Sequence, residues 1–175
     1  TKFTVVRYGN VLGSSSSVVP RFIKQIRAKE TITITDPEMT RFNITMSEAL
    51  DFILDSTAAS KGSVTFIPKI KAYNIMDLKD ALFEILGKTE YKVGKIRPGE
   101  KLAEVLISSD EMRNALEGKK NFIIARDGDT DEQLSKLYPD HKRRNDTSTY
   151  SSDSVEKITK NELTRMLEPL VDKLP

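Results

Sequence analysis

The chain opens on a run of apolar, β-branched and aromatic positions, Phe3-Thr4-Val5-Val6-Arg7-Tyr8, that stops at the turn pair Gly9-Asn10. Such residues favour a pleated, packed surface, so a buried strand is predicted over 3–8. After the serines at 14–17, Val19, Phe22, Ile23 and Ile26 recur at helical spacing with Pro20 in the first turn, which predicts a helix over 18–29. Isoleucine alternates with threonine over 31–35, the pattern of a half-buried strand. Thr45-Met46-Ser47-Glu48 is a capping box, and the helix behind it is expected to bury Ala49, Leu50, Phe52, Ile53 and Leu54.

Further along, 64–67 predicts a strand, and Asn74 caps a helix through Leu78, Leu82, Ile85 and Leu86 that Gly87 can end. A strand over 91–96 feeds Arg97-Pro98-Gly99, Ser108 or Ser109 caps a helix to about Leu116, and 121–125 reads as another short strand. A second capping box, Thr159-Lys160-Asn161-Glu162, opens a last helix ending near Lys173. The stretch 126–153 differs: it is polar, has no periodicity beyond Leu134 and Leu137, and reads as a mobile loop. Strands alternating with helices predict an α/β fold, and a chain of this length is expected to build one core.

Composition narrows the chemistry. The formal charge is 28 − 26 = +2, which gives no global attraction to nucleic acid or membrane. With no cysteine and His141 as the single histidine, no thiolate or histidine-cluster metal site is expected. No apolar run approaches the ~20 residues of a bilayer span and no signal-peptide pattern is seen, so a cytoplasmic location is expected.

Several residues can carry chemistry. Asn10 follows a strand end, where open α/β sheets place ligands, although asparagine also suits a tight turn beside Gly9. The serines 14–17 offer hydroxyls near a helix start, or form an ordinary loop. Arg41, between Thr40 and Phe42, can grip a phosphate with two donors or pair with Asp36 or Glu38. Arg97-Pro98-Gly99-Glu100 sets an arginine and a carboxylate on one stiff turn, able to hold a diphosphate and a ribose hydroxyl or merely to face water. Tyr138 and Lys142 have the Tyr-x-x-x-Lys spacing of a proton-transfer pair, but Pro139 speaks against a helix there. The run His141-Lys142-Arg143-Arg144 has no interleaved aromatics and reads as solvated charge, not as a nucleic-acid patch.

At Arg7-Tyr8-Gly9-Asn10-Val11, Ile34-Thr35-Asp36-Pro37-Glu38-Met39-Thr40-Arg41-Phe42 and Arg97-Pro98-Gly99-Glu100-Lys101-Leu102, the chain resembles the extended short-chain dehydrogenase/reductases. Within them it is similar to the UDP-N-acetylglucosamine 4,6-dehydratases and the polysaccharide-biosynthesis epimerases. Phe66-Ile67-Pro68-Lys69 and Tyr150-Ser151-Ser152 carry the resemblance as well. It implies the last strands of a Rossmann-type parallel sheet over 1–30 and a smaller α/β UDP-sugar-binding part over 31–175. It also implies that Asn10, Thr35, Arg41, Arg97 and Glu100 bind the UDP-sugar, and that Tyr8, Val11, Leu12, Gly13 and Ser14 lie along the nicotinamide end of NADP or NAD. The reaction implied is C4 oxidation by hydride transfer, loss of water across C5 and C6, and hydride return to C6; a 4-epimerase or a non-catalytic nucleotide-sugar module are the alternatives. A homo-oligomer of the full enzyme is implied too. Ser14-Ser15-Ser16-Ser17 stands where such enzymes carry Ser-Arg-Gly-Ser, so a cofactor-side arginine is missing. The chain holds no Gly-x-x-Gly-x-x-Gly and no acid/base Asp-Lys pair of the family, so it is expected to be a carboxyl-terminal part that does not turn over substrate alone.

Overall fold

The structure is a computed structural model that describes residues 3–126 and 128–174. In chain order its elements are β1 (Val5–Val6), β2 (Asn10–Val11), α1 (Val18–Arg27), β3 (Ile32–Ile34), β4 (Thr40–Ile44), α2 (Met46–Ala59), β5 (Thr65–Pro68), β6 (Ala72–Asn74) and α3 (Ile75–Leu86). There follow β7 (Tyr91–Val93), β8 (Val105–Ile107), α4 (Ser109–Met112), β9 (Ala115–Glu117), β10 (Asn121–Ile124), α5 (Asp131–Leu137), β11 (Lys142–Arg143), β12 (Tyr150–Ser151) and α6 (Lys160–Val171). They fall into two compact units that interleave along the chain, each with its own core instead of the single core that the length suggests.

The first unit takes the described residues up to Gly9, then Ile44–Ile70 and Val105–Ser151. Its sheet runs β1-β5-β10-β9-β11. β1 and β5 pair in parallel, Val5 opposite Thr65 and Val6 opposite Phe66, as a Rossmann-type sheet requires. The remaining strands add on antiparallel, because the short turn closed by Gly118 N–H donating to Asn121 O makes a hairpin of β9 and β10. Glycine at 118 is dictated by a close approach: a Cβ there would stand 2.5 Å from His141 Nε2. The predicted helix to Leu116 therefore ends early; Ser108 caps only Ser109–Met112, and Ala115 and Leu116 are strand residues.

Two further expectations fail in this unit. α2 buries Ala49 and Ser56, while Leu50 and Leu54 are 53% and 68% exposed. Apolar residues at 49, 50, 52, 53 and 54 surround most of the helix, and one contact face cannot cover them all. The described residues of 128–153 include α5, β11 and β12, so the expected loop carries regular structure; residue 127 lies outside the described residues. Thr130 and Gln133 form a capping box, and Leu134 and Tyr138 are buried with Phe66, Leu116 and Ile123. The Tyr138 hydroxyl accepts from Lys61 N–H at 3.0 Å, so this tyrosine is a core residue beyond the end of α5 and Lys142 lies in a strand. The basic run is likewise structural: Arg143 Nε donates to Asp131 at 2.7 Å, and Arg144 Nη2 lies 2.8 Å from Asp146. Among the described residues no helix is long and apolar enough to cross a membrane, and no cluster of three potential metal-ligating side chains is found.

The second unit takes Asn10–Asn43, Lys71–Glu104 and the described residues from Ser152 onward. α1, α3 and α6 share an apolar core in which Phe22, Ile23, Leu78, Leu82, Leu163 and Leu167 are at most 1% exposed. Burying six such side chains stabilises the unit by roughly 1.5–3 kcal/mol each. Two small sheets complete it: β2-β4-β6, and the parallel pair β3-β7. Asn74 caps α3 by accepting from Met76 N–H at 2.7 Å, and Gly87 ends it at φ 90°.

Candidate nucleotide-sugar cleft

The cleft lies wholly in the second unit and has a volume of about 290 Å³. Strand periodicity places its first cation. Along β4, Phe42 is fully buried and Arg41, one residue away, takes the other face, opposite Tyr73 of β6. The Arg41 guanidinium is anchored by carbonyls: Nη1 donates to Thr40 O at 2.7 Å and Leu102 O at 3.2 Å. Among the described residues Nη2 reaches the weak acceptor Met39 Sδ, at 3.5 Å, so donor capacity toward an anion remains.

The second cation comes from the turn 97–100. Glu100 N–H donates to Arg97 O at 3.0 Å, with Pro98 inside the turn and Gly99 at φ 84°, a backbone angle that glycine adopts without strain. The Arg97 side chain is 65% exposed, and its Nε lies 3.6 Å from Glu100 Oε2. Glu100 accepts once on each oxygen, from Thr35 Oγ1 at 2.9 Å and from Arg97 N–H at 3.2 Å, which leaves a lone pair on each for a ligand. Desolvation pushes its carboxyl up, but these hydrogen bonds and the Arg97 charge outweigh it and hold Glu100 below the usual carboxylate range.

Asn10 on β2 lines the same cleft. With its amide oriented as its partners require, the nitrogen donates to both oxygens of Glu104, at 2.8 and 2.6 Å. Glu104 also lies 3.8 Å from Arg41 Nε. Burial raises its carboxyl above the usual range, with the Arg41 charge and bonds from Phe42 N–H and Asn10 offsetting part of that. Tyr73 is almost fully buried, and its phenol is pushed upward chiefly for the same reason.

The structure thus brings Asn10, Thr35, Arg41, Arg97 and Glu100 to one cleft, together with Val11, Leu12 and Gly13. Ser14 shapes the turn before α1, its N–H donating to Val11 O, but does not line the cleft, whereas Ser16 and Ser17 do. Tyr8 belongs to the first unit and is not a lining residue. Arg7, from the same motif, is structural: its guanidinium donates to Leu106 O at 2.9 Å and pairs with Glu111 at 2.9 Å.

Sequence reasoning missed Tyr73, Asn43 and Glu104. Tyr73 lies on a three-residue strand too short to show alternation, Asn43 on β4 is buried next to Phe42 and breaks the alternation, and Glu104 follows the 97–102 motif without any signal of burial. Ser17 Oγ and Asn43 Oδ1 are buried without a hydrogen-bond partner among the described residues, and both residues line the cleft. Tyr91 and Lys95 repeat the Tyr-x-x-x-Lys spacing, but Tyr91 is on β7, where residues four apart do not share a helical turn.

The mixed α/β architecture with its parallel β1-β5 pair fits an extended short-chain dehydrogenase/reductase, and the family match places the chain there. It belongs to the family described as "Polysaccharide biosynthesis protein", whose model matches residues 1–126. The UDP-N-acetylglucosamine 4,6-dehydratase (inverting) of Campylobacter jejuni subsp. jejuni serotype O:2 is 40% identical over 161 residues, 88% of this chain and 47% of that protein. The UDP-glucose 4-epimerase of Rickettsia felis is 40% identical over 129 residues, 73% of this chain and 38% of that protein. The X-ray structure of Pen from Bacillus thuringiensis superposes with a TM-score of 0.83 at 34% identity, covering 100% of this chain and 52% of that one. The chain spans about half the length of the curated relatives it matches.

Proposed function

We propose that this chain is the carboxyl-terminal, UDP-sugar-binding part of a nucleotide-sugar 4,6-dehydratase of polysaccharide synthesis, working in the cytoplasm. The observation that carries the reading is the meeting of Asn10, Thr35, Arg41, Arg97 and Glu100, from stretches far apart in sequence, on one cleft. Arg41 and Arg97 are the donors for a pyrophosphate, and guanidinium groups bind such anions through charge-assisted hydrogen bonds. Glu100, kept ionised, is an acceptor for a ribose hydroxyl, and Thr35 holds it in place. The similarity to the Campylobacter dehydratase over 88% of the chain supports the reaction class. A 4-epimerase is the second reading, favoured by the similarity to the Rickettsia epimerase.

Val11, Leu12 and Gly13 line the cleft beside Asn10 and fit the nicotinamide end of NADP or NAD, whereas Tyr8 and Ser14, expected there from the resemblance, do not line it. That cofactor supplies the redox chemistry at sugar C4. The chain's own part is to bind and orient: it carries neither a glycine fingerprint for the dinucleotide nor a helical Tyr-x-x-x-Lys, so alone it binds without turnover.

Calorimetric titration with UDP tests the site. Binding should be measurable and weakened by Arg97→Ala and by Arg41→Ala; unchanged affinity in both variants removes the assignment. Product analysis of the longer enzyme that contains this chain, supplied with UDP-N-acetylglucosamine, separates the two reactions, since a 4-keto-6-deoxy sugar and a C4 epimer differ in mass.

A further inference from the structure

Asn10 is exposed at the cleft, yet its amide nitrogen is already committed. Both Glu104 oxygens accept from it, at 2.8 and 2.6 Å. An amide has one donor end and one acceptor end, so a nitrogen held by a carboxylate leaves Oδ1 as the group open to a ligand. A carboxylate holds the amide in this sense only, because it has no proton to give to an oxygen.

Glu104 is itself placed with unusual care. Its N–H donates to Ser152 Oγ at 2.8 Å, and its carbonyl accepts from Ser152 N–H at 2.8 Å. Ser152 is fully buried, and its hydroxyl donates to Thr40 O at 3.1 Å and lies 2.8 Å from Thr40 Oγ1. The hydroxyl thus has its one proton and both lone pairs engaged, and a fully satisfied buried network of this kind tolerates little displacement. Through it Glu104 is tied to β4, the strand that carries Arg41, whose Nε stands 3.8 Å from the carboxylate.

We propose that Glu104 is a positioning residue that turns the Asn10 amide so that its oxygen faces the ligand, making Asn10 a reader of hydrogen-bond donors on the sugar. The inference rests on the nucleotide-sugar reading of the cleft. It assigns recognition of a sugar hydroxyl or acetamido N–H to Asn10, because an acceptor oxygen repels the phosphate oxygens that the arginines attract. UDP-N-acetylglucosamine then binds more tightly than UDP, and the difference depends on Glu104. In Glu104→Gln the new amide can donate to Asn10 Oδ1, and the Asn10 amide is free to reverse.

The test compares UDP with UDP-N-acetylglucosamine by calorimetry on the wild-type chain, Glu104→Gln and Glu104→Ala, at temperatures where melting curves show each folded. In both variants the sugar's added affinity should shrink by about tenfold, the loss of one well-placed hydrogen bond, while UDP affinity changes by less than about threefold. A merely structural role would weaken both ligands equally, and that result overturns the proposal. So do equal wild-type affinities for the two ligands, or an unaltered preference in Glu104→Gln, the variant that decides if Glu104→Ala fails to fold. Absence of UDP binding to the wild type takes down the nucleotide-sugar reading itself, a different failure from bound UDP with no Glu104 effect.

Discussion

Two charged concavities, one in each unit, are built from similar residues and differ in how far their arginines are exposed. In the groove of the first unit, Lys69 pairs with Glu117, and Arg144 lies 3.6 Å from Glu117 and 2.8 Å from Asp146. Arg143 is likewise matched by Asp131. In the cleft of the second unit, Arg97 is largely exposed, and its nearest carboxylate already accepts from Thr35 and from the Arg97 N–H. A basic run in sequence thus marks a cross-linked surface in one place, while scattered arginines mark a ligand-ready cleft in the other. Residue type does not separate the two, and neither does a nearby carboxylate; exposure does, since the Arg97 side chain is 65% exposed and that of Arg144 25%.

The largest effect should come from the core beneath the cleft. Phe22 is 1% exposed within the second unit's cluster, and Phe22→Ala should cost about 3–5 kcal/mol of unfolding free energy in urea titrations, with UDP binding lost in parallel. A cost under about 1 kcal/mol would mean that the helices of this unit do not pack as described. Next comes the contrast in charge. Arg97→Ala should weaken UDP binding by about tenfold, the value of one charged hydrogen bond, while Arg144→Ala in the first unit's groove leaves it within about twofold. Equal losses from both variants would show that net charge, not the cleft, governs binding.

A smaller effect concerns Arg7 and Glu111 in the first unit. The hydrogen bond from Arg7, with help from Ser108 N–H, holds the Glu111 carboxyl below its ordinary range despite some burial. A carboxylate whose folded pKa is depressed adds stability above its unfolded value of about 4.3, and that contribution fades as pH falls through the lower folded pKa. Wild type should therefore be more stable than Glu111→Gln at pH 7, with the gap closing below about pH 4 in denaturant titrations. A gap that stays constant with pH would show that the Arg7 pair contributes nothing through charge.

Legibility in the sequence followed local signals. Capping boxes at Thr45 and Thr159 and the asparagine cap at 74 mark their helix starts, because each signal is complete within four residues. Asn10, Thr35, Arg41, Arg97 and Glu100 could be named because motif-like stretches carry them, and their meeting in one cleft is a tertiary fact that no spacing contains. Glu104 was invisible for the same reason: what makes it matter is Ser152, 48 residues away. The interleaving of the two units was equally hidden, since the chain passes between them at Gly9, Asn43, Ile70, Glu104 and Ser151 without a linker composition to announce it.

The segment 126–153 shows how a complete local signal can be overlooked when hydrophobic periodicity is the only guide. α5 is seven residues long, too short to display more than one buried position, and Leu134 is that position. Its start is nevertheless written in Thr130-Asp131-Glu132-Gln133, with Gln133 N–H donating to Thr130 Oγ1 at 3.3 Å and Thr130 N–H donating to Gln133 at 3.0 Å. Removing the cap exposes one backbone donor without touching the core, so Thr130→Ala should cost about 1 kcal/mol. Hydrogen exchange locates the effect. The amides of Leu134 and Tyr138, which donate to Thr130 O and Leu134 O, should lose protection in Thr130→Ala while those of α6 keep theirs. Fast exchange at both amides in the wild type would return the segment to the loop that its polarity suggests, and with it would go the burial of Tyr138 that excludes the Tyr138–Lys142 pair from catalysis.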